Sequence, residues 1–236
     1  MDRRKSVVTA ERFASGMTFH QYVAYVGTAE NLRREGSQGL ARKDWSGFLR
    51  KAYESAHLSD AQQRAWTWLA GQPDGPAKIL ILSEEWSSDC RRDVPTFAKI
   101  ADVTGLELRI FPRDGQRFSR TDTPNPAESP NADLMAEFLN HKDNGTWQSI
   151  PVVAFYTRDF GYLYHYIEYP AVYHKDRIVG AIRAPRPGET KEETQARGDR
   201  DFMEMLDSPF FRVWACAAVD ETLSKLYERR RVGSLA

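Results

Sequence analysis

Cysteine is scarce in this chain: its 236 residues include only Cys90 and Cys216. Two thiols are too few for a disulfide framework or a cysteine-rich metal centre, and such a count is typical of a reducing compartment. The histidines His20, His57, His141, His165 and His174 show no short ligand spacing with one another or with the cysteines, so neither a metal nor another cofactor is expected. A Gly-rich phosphate loop and a Gly-x-Ser-x-Gly elbow are also missing. No apolar run approaches the roughly 20 residues of a membrane span. Met1 to Gly16 carries basic residues without the apolar stretch of a signal peptide, and cytoplasmic residence is therefore expected. Charge of one sign is lacking as well: 33 Lys and Arg balance 33 Asp and Glu. Without a positive field to gather nucleic acid or anionic lipid, the expected partners are small molecules or proteins, with no nucleic acid and no membrane.

Apolar residues make up 41% of the chain and aromatics 12%, enough for a proper core in one domain with extensions or in two small ones. Residues 1–75 read as a helical extension. Phe19, Tyr22, Val23 and Val26 share one helical face, and Trp45, Phe48, Leu49, Ala52, Tyr53 and Ala56 repeat the spacing. Ser59-Asp60-Ala61-Gln62 has the form of a capping box before Trp66 and Leu69. Residues 1–16 precede this pattern and are expected to form a loose tail. Gly71-Gln72-Pro73-Asp74-Gly75-Pro76 marks a boundary, so residues 76–236 are taken as the second unit.

Just past that boundary, Ile79-Leu80-Ile81-Leu82 is an unbroken apolar run, the mark of a central strand covered on both faces. Residues 87–104 follow as a helix with Gly105 at its C′ position, and Leu106, Leu108 and Ile110 alternate as a second strand. Strand, helix and strand at this spacing make a parallel crossover. Residues 112–130 read as a long exposed loop, and Asn131 as the cap of a short helix bearing Leu134, Met135, Phe138 and Leu139, closed by Asp143-Asn144-Gly145. Residues 151–156 and 162–167 are expected to pair as a hairpin, with Tyr162, Tyr164 and Tyr166 on one face together with Tyr156. The chain then runs through a polar stretch, Ala184 to Arg200, to a final helix begun by Ser208-Pro209. Its apolar face is expected to include Cys216, Val219, Leu223 and Leu226, and Arg229-Arg230-Arg231 complements the dipole at its end.

Trp86-Ser87-Ser88-Asp89-Cys90, Pro95 five residues later, and Ile150-Pro151 opening a later strand together resemble the thioredoxin family over roughly Lys78 to Ile167. A closer likeness is to a bacterial branch of thioredoxin-like proteins with an N-terminal helical extension, carried by Asp89, by Asp93-Val94-Pro95 and by Arg109 to Asp114. The resemblance implies an α/β thioredoxin-like fold, a central mixed sheet of about four strands flanked by helices, with an N-terminal helical extension and a C-terminal helix. It also implies that Pro151 is a cis-proline and that Trp86, Ser88, Asp89, Ile150 and Pro151 border a substrate groove. The family's first active-site cysteine is Ser87 here, and the carboxylate usual in its first strand is replaced by Ile81.

Dithiol exchange needs one thiolate to attack a disulfide and a second to resolve the mixed disulfide, and an alcohol does neither. Ser87 fits equally a helix N-cap, accepting from the N–H of Asp89 or Cys90. Cys90 is pulled two ways: the helix N-terminus and Arg91-Arg92 favour a thiolate, while Asp89 and burial oppose one. Three readings follow. The first is a monothiol redox or thiol-sensing protein in which Cys90 reacts, with Ser87 beside it, on a protein or low-molecular-weight thiol. The second is a redox-inactive binding module that keeps the groove. The third is a peroxidase resembling peroxiredoxins, which place Thr or Ser three residues before their reactive cysteine, as Ser87 stands to Cys90. Cys216 is a candidate resolving thiol or a core position, and a homo-oligomer is compatible with these features.

Overall fold

The computed structural model describes residues 6–142 and 144–233. Its N-terminal part holds five α-helices: α1 (Ala10–Ala14), α2 (Phe19–Val26), α3 (Ala29–Arg33), α4 (Ser46–Ser55) and α5 (Asp60–Ala70). The Ser59–Gln62 capping box forms as expected, and Thr18 with Gln21 makes a second one at the start of α2. Residues 6–16 are not a loose tail. Thr9 caps α1, Phe13 is 2% exposed with its ring edge-on to Phe160 at 5.7 Å, and Met17 exchanges both backbone hydrogen bonds with Ile110. Burial of one aromatic ring and pairing to a sheet edge outweigh the weak helical signal of so short a segment. Residues 1–5 of that expected tail lie outside the described residues.

The sheet follows: β1 (Lys78–Ser83), α6 (Ser88–Thr104), β2 (Glu107–Pro112), α7 (Ala132–Glu137), a short hairpin β3 (Asn140–Lys142) and β4 (Gly145–Trp147), then β5 (Val152–Tyr156) and β6 (Tyr162–Ile167). Strand order is β2-β1-β5-β6, with β1 parallel to β2 and antiparallel to β5, which in turn pairs antiparallel with β6. The apolar run of β1 sits centrally because both faces are covered. Ile79 and Ile81 pack with α2, α5 and α6, and Leu80 and Leu82 pack with Phe13 and with Leu134 and Met135 of α7. Gly105 takes the left-handed φ of 73° at the end of α6, as its position predicts.

Several local expectations are corrected. The hairpin β3–β4 forms where only a turn was legible, because three-residue strands carry almost no periodic signal; Asp143 lies outside the described residues. Asn131 stands at the N-cap position of α7 as expected, but its side chain makes no capping bond and its amide donates instead to the Pro112 carbonyl at 2.7 Å. The tyrosines do not form one stripe. Tyr156 pairs with Tyr162 while Phe155 pairs with Tyr164, a β-bulge at Leu163 that puts Tyr162 on the α7 side and leaves Tyr164 and Tyr166 on the α6 side.

Beyond β6 the polar tail is helical: α8 (Lys175–Arg183) and α9 (Lys191–Asp207), the latter opened by a Thr190–Glu193 capping box, lead into α10 (Pro209–Val232). In α10, Val219 and Leu226 are buried, Cys216 and Leu223 are half-buried, and the three arginines occupy the last turn. The larger core runs continuously from α2, α4 and α5 through the sheet to α6 and α10, so the helices before the glycine-proline boundary and the sheet after it share one apolar interior.

Candidate functional site

β1 ends at Ser83 and the chain turns through Glu84-Glu85-Trp86 into α6, which places residues 86–90 at the C-terminal edge of the central strand. Ser87 is the N-cap, extended at φ −77° and ψ 126°, and its hydroxyl accepts from the Cys90 N–H at 3.4 Å. Trp86 is half-buried; its indole N–H donates to Asp114 at 3.3 Å, Phe118 meets its ring edge-on at 5.4 Å and the Arg113 guanidinium lies 5.2 Å from its centre. Facing this corner, the Ile150–Pro151 peptide bond is cis. A groove of about 800 Å³ opens between the two, and Trp86, Ser87, Asp89 and Ile150 all line it. Ser88 and Pro151 do not lie on its wall. Pro151 is buried, with its carbonyl accepting from the Glu168 N–H at 2.9 Å.

Cys90 does not line the groove either. It is 1% exposed and belongs to the main core. Burial pushes its thiol up to about 12, only partly offset by hydrogen bonding to Ser83, the Glu84 backbone and Ser87. A thiol so raised is almost wholly protonated near neutral pH and so lacks the nucleophilic form. The neighbouring arginines are engaged elsewhere. Arg92 pairs with Asp89 at 2.8 Å and Asp93 at 2.6 Å, and Arg91 donates to the carbonyls of Glu85 and Trp86 while stacking 3.8 Å from the Trp45 ring centre. Both cysteines are free, and Cys216 lines a different cavity.

Groove residues that the sequence reading missed come from the 112–130 loop and from the β3–β4 hairpin. The loop has no regular structure, yet it is not exposed throughout: Arg113, Asp114, Ser119 and Ser129 are buried. Arg113 donates to the Gln148 carbonyl at 2.8 Å, and the Gln148 amide donates to Ser119 Oγ and the Thr121 carbonyl, both at 2.8 Å. Gln148 Oε1 is a buried acceptor with no protein partner. Lys142 and Glu168 form a 2.8 Å pair on the far wall, and Asp89 is held by Lys175 of α8 as well as by Arg92.

Beneath Trp86 lies a buried ionic layer. Glu84 accepts from Arg34 at 2.9 Å and from Arg42 at 2.6 Å, Arg42 also binds Glu85, and Asp114 takes Arg113 at 2.8 Å. Burial, reinforced by the Glu84 charge, raises the carboxyls of Glu85 and Asp114. Arg34 and Arg42 come from the helical extension, so the extension fixes the loop that carries Trp86. No local pattern announces this, because the partners sit about 30 to 80 positions apart in sequence. Among the described residues, no group of His, Cys, Asp and Glu is placed to hold a metal ion, and no helix is long and apolar enough to cross a membrane.

Residues 41–123 match the family model described as thioredoxin, a span that includes β1, α6, β2 and the first half of the groove loop. Among solved structures, the chain is similar to a protein of unknown function from Pseudomonas aeruginosa, at 15% identity and a TM-score of 0.51, over 94% of this chain and 98% of that one. It is also similar to an HIV epitope scaffold at 16% identity and a TM-score of 0.49, with the same two coverages. No curated protein matches.

Proposed function

The chain is a thioredoxin-like protein, and from that premise we propose that it is a redox-inactive binding module whose groove holds a segment of a protein partner. The observation that carries this reading is the separation of groove from thiol: Ser87 and Ile150 face the groove, while Cys90 is buried behind Ser87 with its thiol pushed up to about 12. A partner disulfide in the groove would meet an alcohol there and no thiolate, so sulfur exchange has no entry. The wall suits an extended chain. Trp86 and Phe118 offer apolar surface, Gln148 Oε1 lacks a donor, and Lys142, Glu168, Asp89 and Lys175 supply charge of both signs.

Selection of a random peptide library on the full-length protein tests this. Peptides recovered by the wild type should also bind Cys90→Ser, and should be lost by Thr121→Trp, which puts an indole at the groove mouth while the denaturation midpoint is kept. Loss of binding in Cys90→Ser with stability retained would return the thiol to the function and overturn the binding-only reading.

A further inference from the structure

A second cavity, of about 320 Å³, lies between α4, α6 and the junction of α9 with α10. Its walls are largely apolar, built from Phe48, Leu206, Phe211 and Val219. Its charges are unbalanced. Lys51, Arg91, Arg92 and Arg212 line it against Asp207 as the one lining carboxylate, and only Arg92 among the four cations is neutralised, by Asp89 and Asp93. Arg212 is held by the carbonyl and hydroxyl of Ser55, which carry no charge.

Arg91 is the anomaly. Its side chain is 4% exposed, it has no carboxylate within 4.0 Å among the described residues, and its Nε has no hydrogen-bond partner. Its two hydrogen bonds go to carbonyls and its plane rests on Trp45, so its direct contacts are dipoles and ring faces, while the Glu85 and Asp89 carboxylates act on it only from beyond contact distance. Burial lowers its pKa to about 10. A desolvated guanidinium with no carboxylate in contact is only partly compensated by those dipoles, ring faces and more distant charges, and an entering anion would add the missing contact.

We propose that this cavity binds a small apolar monocarboxylate, its hydrocarbon body against Phe48, Phe211 and Val219 and its carboxylate directed to the Arg91, Lys51 and Arg212 side. The volume falls at the lower end of small-ligand pockets, which limits the body to about a fused pair of rings or a medium alkyl chain. Its recognition combines burial of apolar surface with a charge-assisted contact, and the neutral analogue of the same shape would forfeit the second part. The site is independent of the groove reading, since the residues lining the two cavities do not overlap.

Cys216 supplies the readout, because it lines this cavity and is half-buried, whereas Cys90 is enclosed. Alkylation of native full-length protein by iodoacetamide is followed at Cys216 by mass spectrometry, with 2-naphthoate or 2-naphthol present. Naphthoate is expected to slow alkylation saturably, and naphthol at equal concentration to need about tenfold more for the same protection. Arg91→Met should weaken naphthoate about tenfold and leave naphthol unchanged. Should that buried change unfold the protein, the double variant Lys51→Glu with Arg212→Glu, at an exposed and a half-buried position outside the core, gives the same discrimination. Equal protection by the two probes, no protection by either, or naphthoate protection that survives the double variant would overturn the proposal.

Discussion

At Ser87 a single oxygen stands where exchange chemistry needs sulfur, and the surrounding residues have settled around that oxygen. The hydroxyl caps α6, Asp89 is committed to Arg92 and Lys175, and Cys90 packs among apolar side chains. The sequence made Ser87 legible as a cap, but it left Cys90 undecided, since charge and burial act on it in opposite directions and burial is a tertiary quantity. Asp93 shows burial winning over charge at the same helix end. Despite Arg92 at 2.6 Å and a donated hydrogen bond from Tyr166 at 2.9 Å, burial lifts its carboxyl to about 6. A carboxyl raised above its unfolded value binds protons more tightly when folded, so its contribution to stability is present at low pH and is lost as pH rises through the folded value. Denaturant unfolding of the wild type and Asp93→Asn across pH 4 to 7 should show the wild type losing stability relative to the variant as pH rises from about 4 to about 6. A relative gain over that window would contradict the burial assignment.

Among the elements, α1 is the clearest test of how the fold is held. Five residues with one buried ring clamp the sheet face opposite α6, where Phe13 meets Phe160 and lies under the Lys78 ammonium. Phe13→Ala should cost about 3–5 kcal/mol in denaturant unfolding, as truncation of a fully buried ring does, whereas a loose segment would give nearly zero. The long elements were legible for the opposite reason: β1 announces itself by four consecutive apolar residues, and α6 by its spacing and by Gly105. What escaped was short, polar or long-range. The β3–β4 strands have three residues each, α8 buries no residue at all, and the β-bulge that divides the tyrosines is a property of pairing, invisible in either strand alone. The groove was legible at its two motif-bearing corners, Trp86 and Ile150, and illegible along the wall built by Arg113 and by residues 118–122 and 145–149, whose placement rests on buried hydrogen bonds.

For the whole molecule, the helical extension and the sheet form one interior, and the arginines at positions 34 and 42 reach from the first into the loop that bears Trp86. The same continuity encloses Cys90, since Tyr22 and Val23 of α2 pack in the core that contains it. Access to this thiol is therefore expected only through global unfolding. Native full-length protein is treated with iodoacetamide in a denaturant series, and the two cysteines are quantified separately by peptide mass spectrometry. Cys216 should be modified in the absence of denaturant, and Cys90 only in step with the global unfolding transition. Modification of Cys90 in native buffer at a rate comparable to Cys216 would contradict the claim that the groove and the thiol are separate, and would restore the monothiol reading.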